Sequence, residues 1–192
     1  MRMSAILGLS VLYGLGILQP SPNPAGKEDL QKTALQVPIP RNEARAEDVS
    51  SIDGIIKAYY QVVSGPAGQP RDWGRDATLY IPGVRFVVFG KDRNGKTTAE
   101  SMTHQEFVDA SDRAMVTKGF YEREIHRIVH RGGDVAHVLS TAENTVSRNG
   151  PAQGHWIDSL ELYWDGRRWW IASANVWELS SGESLPAEFL PQ

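Results

Sequence analysis

The C-terminal third of the chain alternates between strand-forming stretches and short turn sequences. Four stretches with strand character cover residues 120–130, 135–146, 155–164 and 168–179. Gly-Gly, Asn-Gly and Asp-Gly pairs stand between them, and these residues supply the positive φ angles that tight hairpin turns require. The pattern therefore predicts an antiparallel meander of four strands.

A helix-rich region precedes this meander. Apolar residues recur at helical spacing between positions 49 and 63, and either Asp48 or Ser51 can cap that helix. Thr103 and Glu106 form a capping-box pattern that starts another helix, ending near residue 117. A short helix near residues 70–76, a strand at 84–89 and a polar hairpin-like loop at 90–98 lie between the two. Helices followed by a long sheet predict an α+β domain with the helices laid across one sheet face.

The N-terminal region differs in character from the rest of the chain. A basic start, an apolar run at residues 4–18 and a turn-rich stretch are typical of a secretory signal, because the run is shorter than the roughly 20 residues of a membrane span. We interpret residues 1–25 as a signal peptide, with an N-terminal anchor as the alternative, and expect a secreted or periplasmic protein. Residues 26–47 are predicted as a proline-rich linker, 48–180 as the domain and 181–192 as a tail.

Composition excludes several kinds of chemistry. The 192 residues contain no cysteine, which excludes disulfides, thiol nucleophiles and cysteine-ligated metal. A net charge of -3 provides no basic field for nucleic acid, so no nucleic-acid partner is expected. The sequence has no nucleophile-elbow, phosphate-loop or dinucleotide motif and no tight spacing of metal ligands. We therefore expect neither a cofactor nor a metal.

The predicted element order, with the segments at residues 55–60, 71–73, 79–80 and 165–171, resembles the nuclear transport factor 2-like superfamily. The likeness is greatest to its polyketide-cyclase-like branches and covers residues 48–179. This resemblance implies a cystatin-like cone, in which a curved antiparallel sheet holds the N-terminal helices on its concave face. It also implies a homodimer formed through the outer sheet face. Family members include dehydratases, isomerases, cyclases and binding domains, so the fold leaves the function open.

The register of the last hairpin predicts a ligand pocket. If Asp165 and Gly166 form a two-residue turn, side-chain alternation places one set of polar and aromatic residues together beyond an apolar layer. That set consists of Trp156, Asp158, Ser173, Asn175 and Trp177. The resemblance adds Trp73, Asp76 and Tyr80, which belong to the segment that covers the cone; Trp73 either stacks on a ligand or seals the core. A small molecule is therefore the expected ligand.

Four side chains in or near this pocket are candidates for a role in catalysis. Asp158, in an apolar site, would have a raised pKa and act as a base, although a structural carboxylate is the alternative. His126 can form an acid–base pair with Glu124 or Glu143, or can lie on a solvated charged face. Tyr80 or Asn175 would polarise the substrate. The sequence does not decide which face of the hairpin at residues 120–146 lines the pocket.

Three functions are consistent with these observations. The first is an exported domain that binds a small, mostly apolar molecule in a cone-shaped pocket. The second is a cofactor-independent dehydratase or isomerase that transfers protons in the same pocket. The third is an interaction module that works through its outer sheet face, where Ser159, Glu161, Trp170 and Ala172 are predicted to form a homodimer contact.

Overall fold

The computed structural model describes residues 36–179 and 183–191. The described residues begin with three helices, α1, α2 and α3, at Ala46–Val49, Ile52–Val63 and Trp73–Ala77. Strands β1 and β2 follow at Arg85–Lys91 and Thr97–Thr103, and helix α4 occupies His104–Lys118. Strands β3 to β6 then occupy Tyr121–Gly132, Val135–Thr145, Gly154–Trp164 and Trp169–Glu178. A 3₁₀ turn lies at Ala187–Phe189.

The two long helices begin at the caps that the sequence predicts. The Ser51 hydroxyl accepts a hydrogen bond of 3.0 Å from the backbone N–H of Gly54, so Ser51 rather than Asp48 caps α2. Thr103 and Glu106 form the predicted capping box at the start of α4. Each cap supplies an acceptor to backbone donors that would otherwise lack partners in the first helical turn.

The six strands form one curved, mixed sheet in the order β2-β1-β6-β5-β4-β3. The four-strand meander is confirmed, but β1 runs parallel to β6, so the expectation of a wholly antiparallel sheet is wrong. Strand β2 also takes residues 97 and 98 from the predicted loop and pairs with β1. Because β2 is an edge strand with polar, exposed side chains, it lacks the apolar alternation that marks a half-buried strand.

The helices pack on the concave face of this sheet. Leu160 and Ile171 from the sheet and Ile55 and Ile56 of α2 are fully buried in one core, which also includes Trp169. Burial of a side chain of this size contributes roughly 1.5–3 kcal/mol, so this interface holds the fold together. The predicted α+β class and the position of the helices are confirmed.

The predicted register of the last hairpin is wrong. Trp164 pairs with Trp169 rather than Arg167, because the turn spans four residues instead of two. The Asp165 carboxylate stabilises this longer turn by accepting 2.8 Å hydrogen bonds from the backbone N–H groups of Arg167 and Arg168. Further along β6, the pairing shifts and Ala172 remains unpaired as a β-bulge. Neither the longer turn nor the bulge has a distinct signal in the sequence.

Beyond the bulge, the side chains of β6 lie on the opposite sheet faces from those predicted. Ala174 and Val176 lie opposite Leu160 and Asp158, so they share the inner face. The three β6 residues predicted to line the pocket lie on the outer face instead; they are Ser173, Asn175 and Trp177. Trp177 is 42 % exposed, as expected for an outward-facing ring.

A second bulge decides the orientation of the first hairpin. Gly132 pairs with Val135, and the register shifts between Glu124 and His126. Glu124 lies opposite Ala142 on the inner face, whereas His126 lies opposite Thr141 on the outer face. The predicted acid–base pairing of His126 with Glu124 is therefore wrong, because the extra residue at position 125 separates them to opposite faces.

Part of the segment predicted as a linker contacts the domain. Val37 and Ile39 pack against the core, and the backbone N–H of Val37 donates to Asp109 at 2.8 Å. The predicted signal segment at residues 1–25 lies outside the described residues. Among residues 36–179 and 183–191, no helix has the length and apolarity to cross a membrane.

Candidate functional site

A cavity of about 300 Å³ lies between α2, α4 and the inner face of the sheet. Its walls are mainly apolar and aromatic, and three carboxyl groups of the sheet, Glu122, Asp158 and Glu178, interrupt them. The volume is at the lower end of the range for ligand pockets. The apolar and aromatic lining includes Tyr59, Val63, Tyr80, Phe86, Val88, Phe107, Met115, Phe120, Val146, Trp156 and Val176.

Asp158 is the best-defined polar group of the cavity. It is 1 % exposed and accepts hydrogen bonds from two adjacent tyrosines of α2, at 3.3 Å from Tyr59 and 2.7 Å from Tyr60. Burial raises the pKa of Asp158 to about 7, although the two tyrosine hydroxyls favour the carboxylate and oppose this rise. A carboxyl group at this position exchanges protons near neutral pH.

Glu122 is the second carboxyl group of the cavity and lies on β3. Burial raises its pKa well above the usual range, and the negative charge of Asp158 raises it further. The Trp156 indole N–H opposes this effect, although its geometry falls short of a regular hydrogen bond. The two carboxyl groups therefore favour neutral or singly charged arrangements over two negative charges.

Tyr80 forms part of the opposite wall. Its hydroxyl donates to Asp76 at 3.0 Å, and His104 Nε2 contacts the other oxygen of Asp76 at 2.7 Å. Burial, with the nearby charge of Asp76, raises the pKa of Tyr80 well above its usual range. Asp76 does not line the cavity and instead fixes the Tyr80 ring. Trp73 also lies outside the lining and donates to Asp112 at 2.7 Å, which fits the core-sealing alternative.

The structure brings together only part of the predicted site. Tyr80, Trp156 and Asp158 line the cavity, and Asp76 supports it from behind. The four remaining outward-facing candidates, His126, Ser173, Asn175 and Trp177, do not reach it. The predicted inward position of Asp158 agrees with the structure because side chains alternate regularly along its strand from Trp156 to Trp164.

Two side chains that line the cavity, Tyr59 and Glu122, are not among the predicted site residues. Tyr59 lies among the helically spaced apolar positions between residues 49 and 63, and both it and its neighbour Tyr60 carry a hydroxyl group into the core. Glu122 belongs to the hairpin whose inner face the sequence leaves open, and in the structure it pairs with Asn144 and lines the cavity. The sequence does carry a signal for the two tyrosines. Their helical spacing places both on a buried helix face, where their hydroxyl groups need hydrogen-bond partners.

A larger open groove of about 600 Å³ lies elsewhere on the surface, beside the segment that begins at Val37. Ile39, His104 and Trp170 contribute to its walls, and Tyr80 borders both this groove and the cavity. We favour the smaller cavity as the functional site because it encloses two carboxyl groups with raised pKa values. Within the described residues, no cluster of three His, Asp or Glu side chains is arranged to hold a metal.

The architecture identifies the fold class. Helices that cover the concave face of a curved sheet, and a cavity enclosed between them, are what the resemblance drawn from the sequence implies. The chain has a nuclear transport factor 2-like fold. No family model and no curated protein matches the sequence.

Several solved structures are similar to the chain. One is a protein of unknown function with a cystatin-like fold from Nostoc punctiforme, with 11 % identity, a TM-score of 0.49, and coverage of 73 % of this chain and 97 % of the other. Another is a protein of unknown function from Mycobacterium tuberculosis, with 18 % identity, a TM-score of 0.48 and coverage of 71 % and 75 %. A third is an NTF-2 like protein of unknown function from Silicibacter pomeroyi, with 15 % identity, a TM-score of 0.46 and coverage of 68 % and 94 %.

Proposed function

We propose that the domain binds a small, mostly apolar molecule in the cavity between α2, α4 and the sheet. The observation that carries this proposal is an apolar cavity of ligand size with the buried carboxyl group of Asp158 in its wall. Apolar walls favour a ring or a branched hydrocarbon skeleton. The carboxyl groups favour a ligand with a polar group that can pair with them.

The charge state of the two carboxyl groups sets the kind of ligand. Burial raises the pKa of both Glu122 and Asp158 and favours their neutral forms, so Asp158 is mostly neutral below about pH 7. A neutral carboxyl group donates one hydrogen bond and accepts others, so it can bind a carbonyl or hydroxyl oxygen. An anionic ligand would be repelled once either group ionises. Because a carbonyl or hydroxyl oxygen pairs with a carboxyl group that carries no charge, we propose a neutral ligand.

Calorimetric titration with 2-naphthol, a neutral aromatic alcohol, tests this proposal. The Ala114→Trp variant fills the cavity from α4 and should abolish binding, because Ala114 lines the cavity. Arg113→Trp is the matched control, since its exposed neighbouring position lies outside the lining. Binding that survives in the Ala114→Trp variant would contradict the proposed location. Native mass spectrometry of the purified protein would show whether a natural ligand is retained.

A second candidate function is proton transfer in the same cavity, as in a cofactor-independent isomerase or dehydratase. The specific observation in its favour is the pKa of about 7 for Asp158, which lies close to the value that suits a general base or acid near neutral pH. Tyr59 and Tyr60 hold the carboxyl group in one orientation through its two oxygens. A substrate C–H group placed beside Asp158 would exchange its proton with that carboxylate.

Exchange of the α-protons of 2-tetralone in D₂O, followed by NMR, tests this second function. The Asp158→Asn variant should lose the catalysed exchange by roughly 10²- to 10⁴-fold, the range for removal of a general base. The same variant should still bind 2-naphthol, because the amide retains the shape and polarity of the neutral acid. Equal exchange rates in the wild type and the variant would refute the proton-transfer function and leave only the binding function.

A further inference from the structure

A continuous chain of short contacts leads from the cavity to the surface behind Asp158. Tyr60 Oη lies 2.7 Å from Asp158 Oδ2 and 2.8 Å from Ser140 Oγ. Ser140 Oγ in turn lies 2.5 Å from Oε1 of Glu124. Tyr60 is 4 % exposed and Ser140 is fully buried, and neither lines the cavity. The path therefore passes through the helix–sheet interface and not through the cavity.

The surface end of this path is a network of ion pairs. The Glu124 carboxylate receives two hydrogen bonds from Arg127, from Nε at 2.7 Å and from the terminal nitrogen at 2.6 Å. Arg127 also donates to Asp53, whose side chain is 92 % exposed. The Glu124 side chain itself is 22 % exposed. Water can therefore exchange protons with this end of the path.

The number of protons along this hydrogen-bonded path determines how many of its contacts are hydrogen bonds. Two carboxyl groups, Asp158 and Glu124, flank two hydroxyl groups, and the four groups make three short contacts. Each hydroxyl group has only one proton to donate. All three contacts are hydrogen bonds only when one of the two carboxyl groups is protonated. Because Arg127 pairs with Glu124, this shared proton is held at Asp158. The neutral Asp158 then donates to Tyr60, whereas the Asp158 carboxylate accepts the same hydrogen bond from Tyr60.

We infer that Tyr60, Ser140 and Glu124 form a proton relay that joins Asp158 to solvent. The inference deepens the proposed function, because it rests on Asp158 as the proton-exchanging group of the cavity. When Asp158 gives its proton to Tyr60, Tyr60 gives its own to Ser140, and Ser140 gives its own to Glu124. Each hydroxyl group loses one proton and gains one, so only the two carboxyl groups change charge. A bound molecule can then fill the cavity while Asp158 still exchanges protons with water.

Titration of the Asp158 carboxyl carbon by NMR, on the ligand-free protein, tests the relay. The other charged or titratable groups that line the cavity with Asp158 are Tyr59, Tyr80, Lys118, Glu122 and Glu178, and all stay unchanged in the variants used. In Ser140→Ala, Tyr60 loses the acceptor for its proton and donates to Asp158 alone. The ionisation constant of Asp158 should then rise about fivefold to tenfold, the equivalent of one net hydrogen bond.

Two further variants separate the relay from a structural effect. Ser140→Thr keeps the hydroxyl group and should restore the wild-type titration. Tyr60→Phe removes a bond that favours the carboxylate, so it should shift the ionisation constant of Asp158 in the opposite direction to Ser140→Ala. A Ser140→Ala titration that matches the wild type would overturn the relay.

The rate of proton exchange provides a test that does not need the buried serine. Glu124→Gln changes a partly exposed residue, and it should slow the protonation equilibrium of Asp158 severalfold, as seen in the line width of its carbon signal. An unchanged rate in that variant would overturn the relay even if Ser140→Ala fails to fold. These measurements use no ligand, so a failure to bind 2-naphthol would refute the proposed function without deciding the relay.

Discussion

The buried carboxyl group of Asp158 should make the stability of the protein depend on pH. Its pKa rises from 3.8, the ordinary value, to about 7 in the folded state because the group is almost fully buried. Between these two values the folded state retains a proton that the unfolded state releases. The free energy of unfolding therefore falls as the pH rises through this window, and the loss is complete above pH 7.

The size of this loss of stability follows from the shift in the pKa of Asp158. One pKa unit corresponds to about 1.4 kcal/mol, so a shift of about three units corresponds to about 4 kcal/mol of stability lost between pH 4 and pH 7. This is a large fraction of the roughly 5–15 kcal/mol by which domains are stable. Asp158→Asn removes the titrating group and mimics its neutral form. The variant should therefore become more stable, relative to the wild type, by about 4 kcal/mol over the same window.

Urea unfolding, monitored by circular dichroism between pH 4.5 and 8, measures this difference. The comparison of Asp158→Asn with the wild type cancels the titration of groups that do not interact with Asp158. Glu122, whose pKa the Asp158 charge raises, adds to the difference in the same direction. Glu100→Gln, at an exposed position of β2, is the matched control and should follow the wild-type curve. If the stability difference between Asp158→Asn and the wild type stayed constant with pH, the reasoning about burial would be refuted.

Three other changes have expected outcomes. Asp76→Ala should lower stability by roughly 2–4 kcal/mol in urea unfolding, because the buried Tyr80 and the partly buried His104 lose their partner. Removal of residues 36–45 should lower the melting temperature by about 4–8 °C, since roughly 2 kcal/mol of apolar burial is lost; an unchanged melting temperature would show that these contacts contribute nothing. We still propose a homodimer through the outer sheet face, and Ser159→Arg should give a monomer by light scattering, whereas a monomeric wild type would disprove the interface.

Much of the fold could be predicted because its local signals are strong. The caps at Ser51 and Thr103 and the turn-separated strands after residue 120 appear in the structure at nearly the predicted bounds. These features depend on residues that are neighbours in the sequence. The parallel pairing of β1 with β6 depends on residues almost ninety positions apart, such as Phe86 and Ala174, and no local pattern specifies it.

The site was harder to predict because it depends on register. Side chains alternate with a period of two, so a single unpaired residue reverses every position beyond it. The bulge at Ala172 turned Asn175 away from the cavity, and the one at Ile125 separated His126 from Glu124. Asp158 escaped this error because β5 is regular from the turn to the cavity. A prediction from alternation is therefore reliable only between bulges.

The buried carboxyl groups of the cavity lower the stability of the fold as the pH rises, but they also supply the proposed proton exchange. Glu122 and Asp158 both occupy positions where burial disfavours their charged forms, and each costs stability as the pH rises. An apolar or amide replacement would remove that cost, as the expected gain for Asp158→Asn illustrates. The same replacement would remove the proton-exchanging group and the inner end of the relay through Tyr60. A variant that is more stable at pH 8 and slower in proton exchange would therefore link both effects to one side chain.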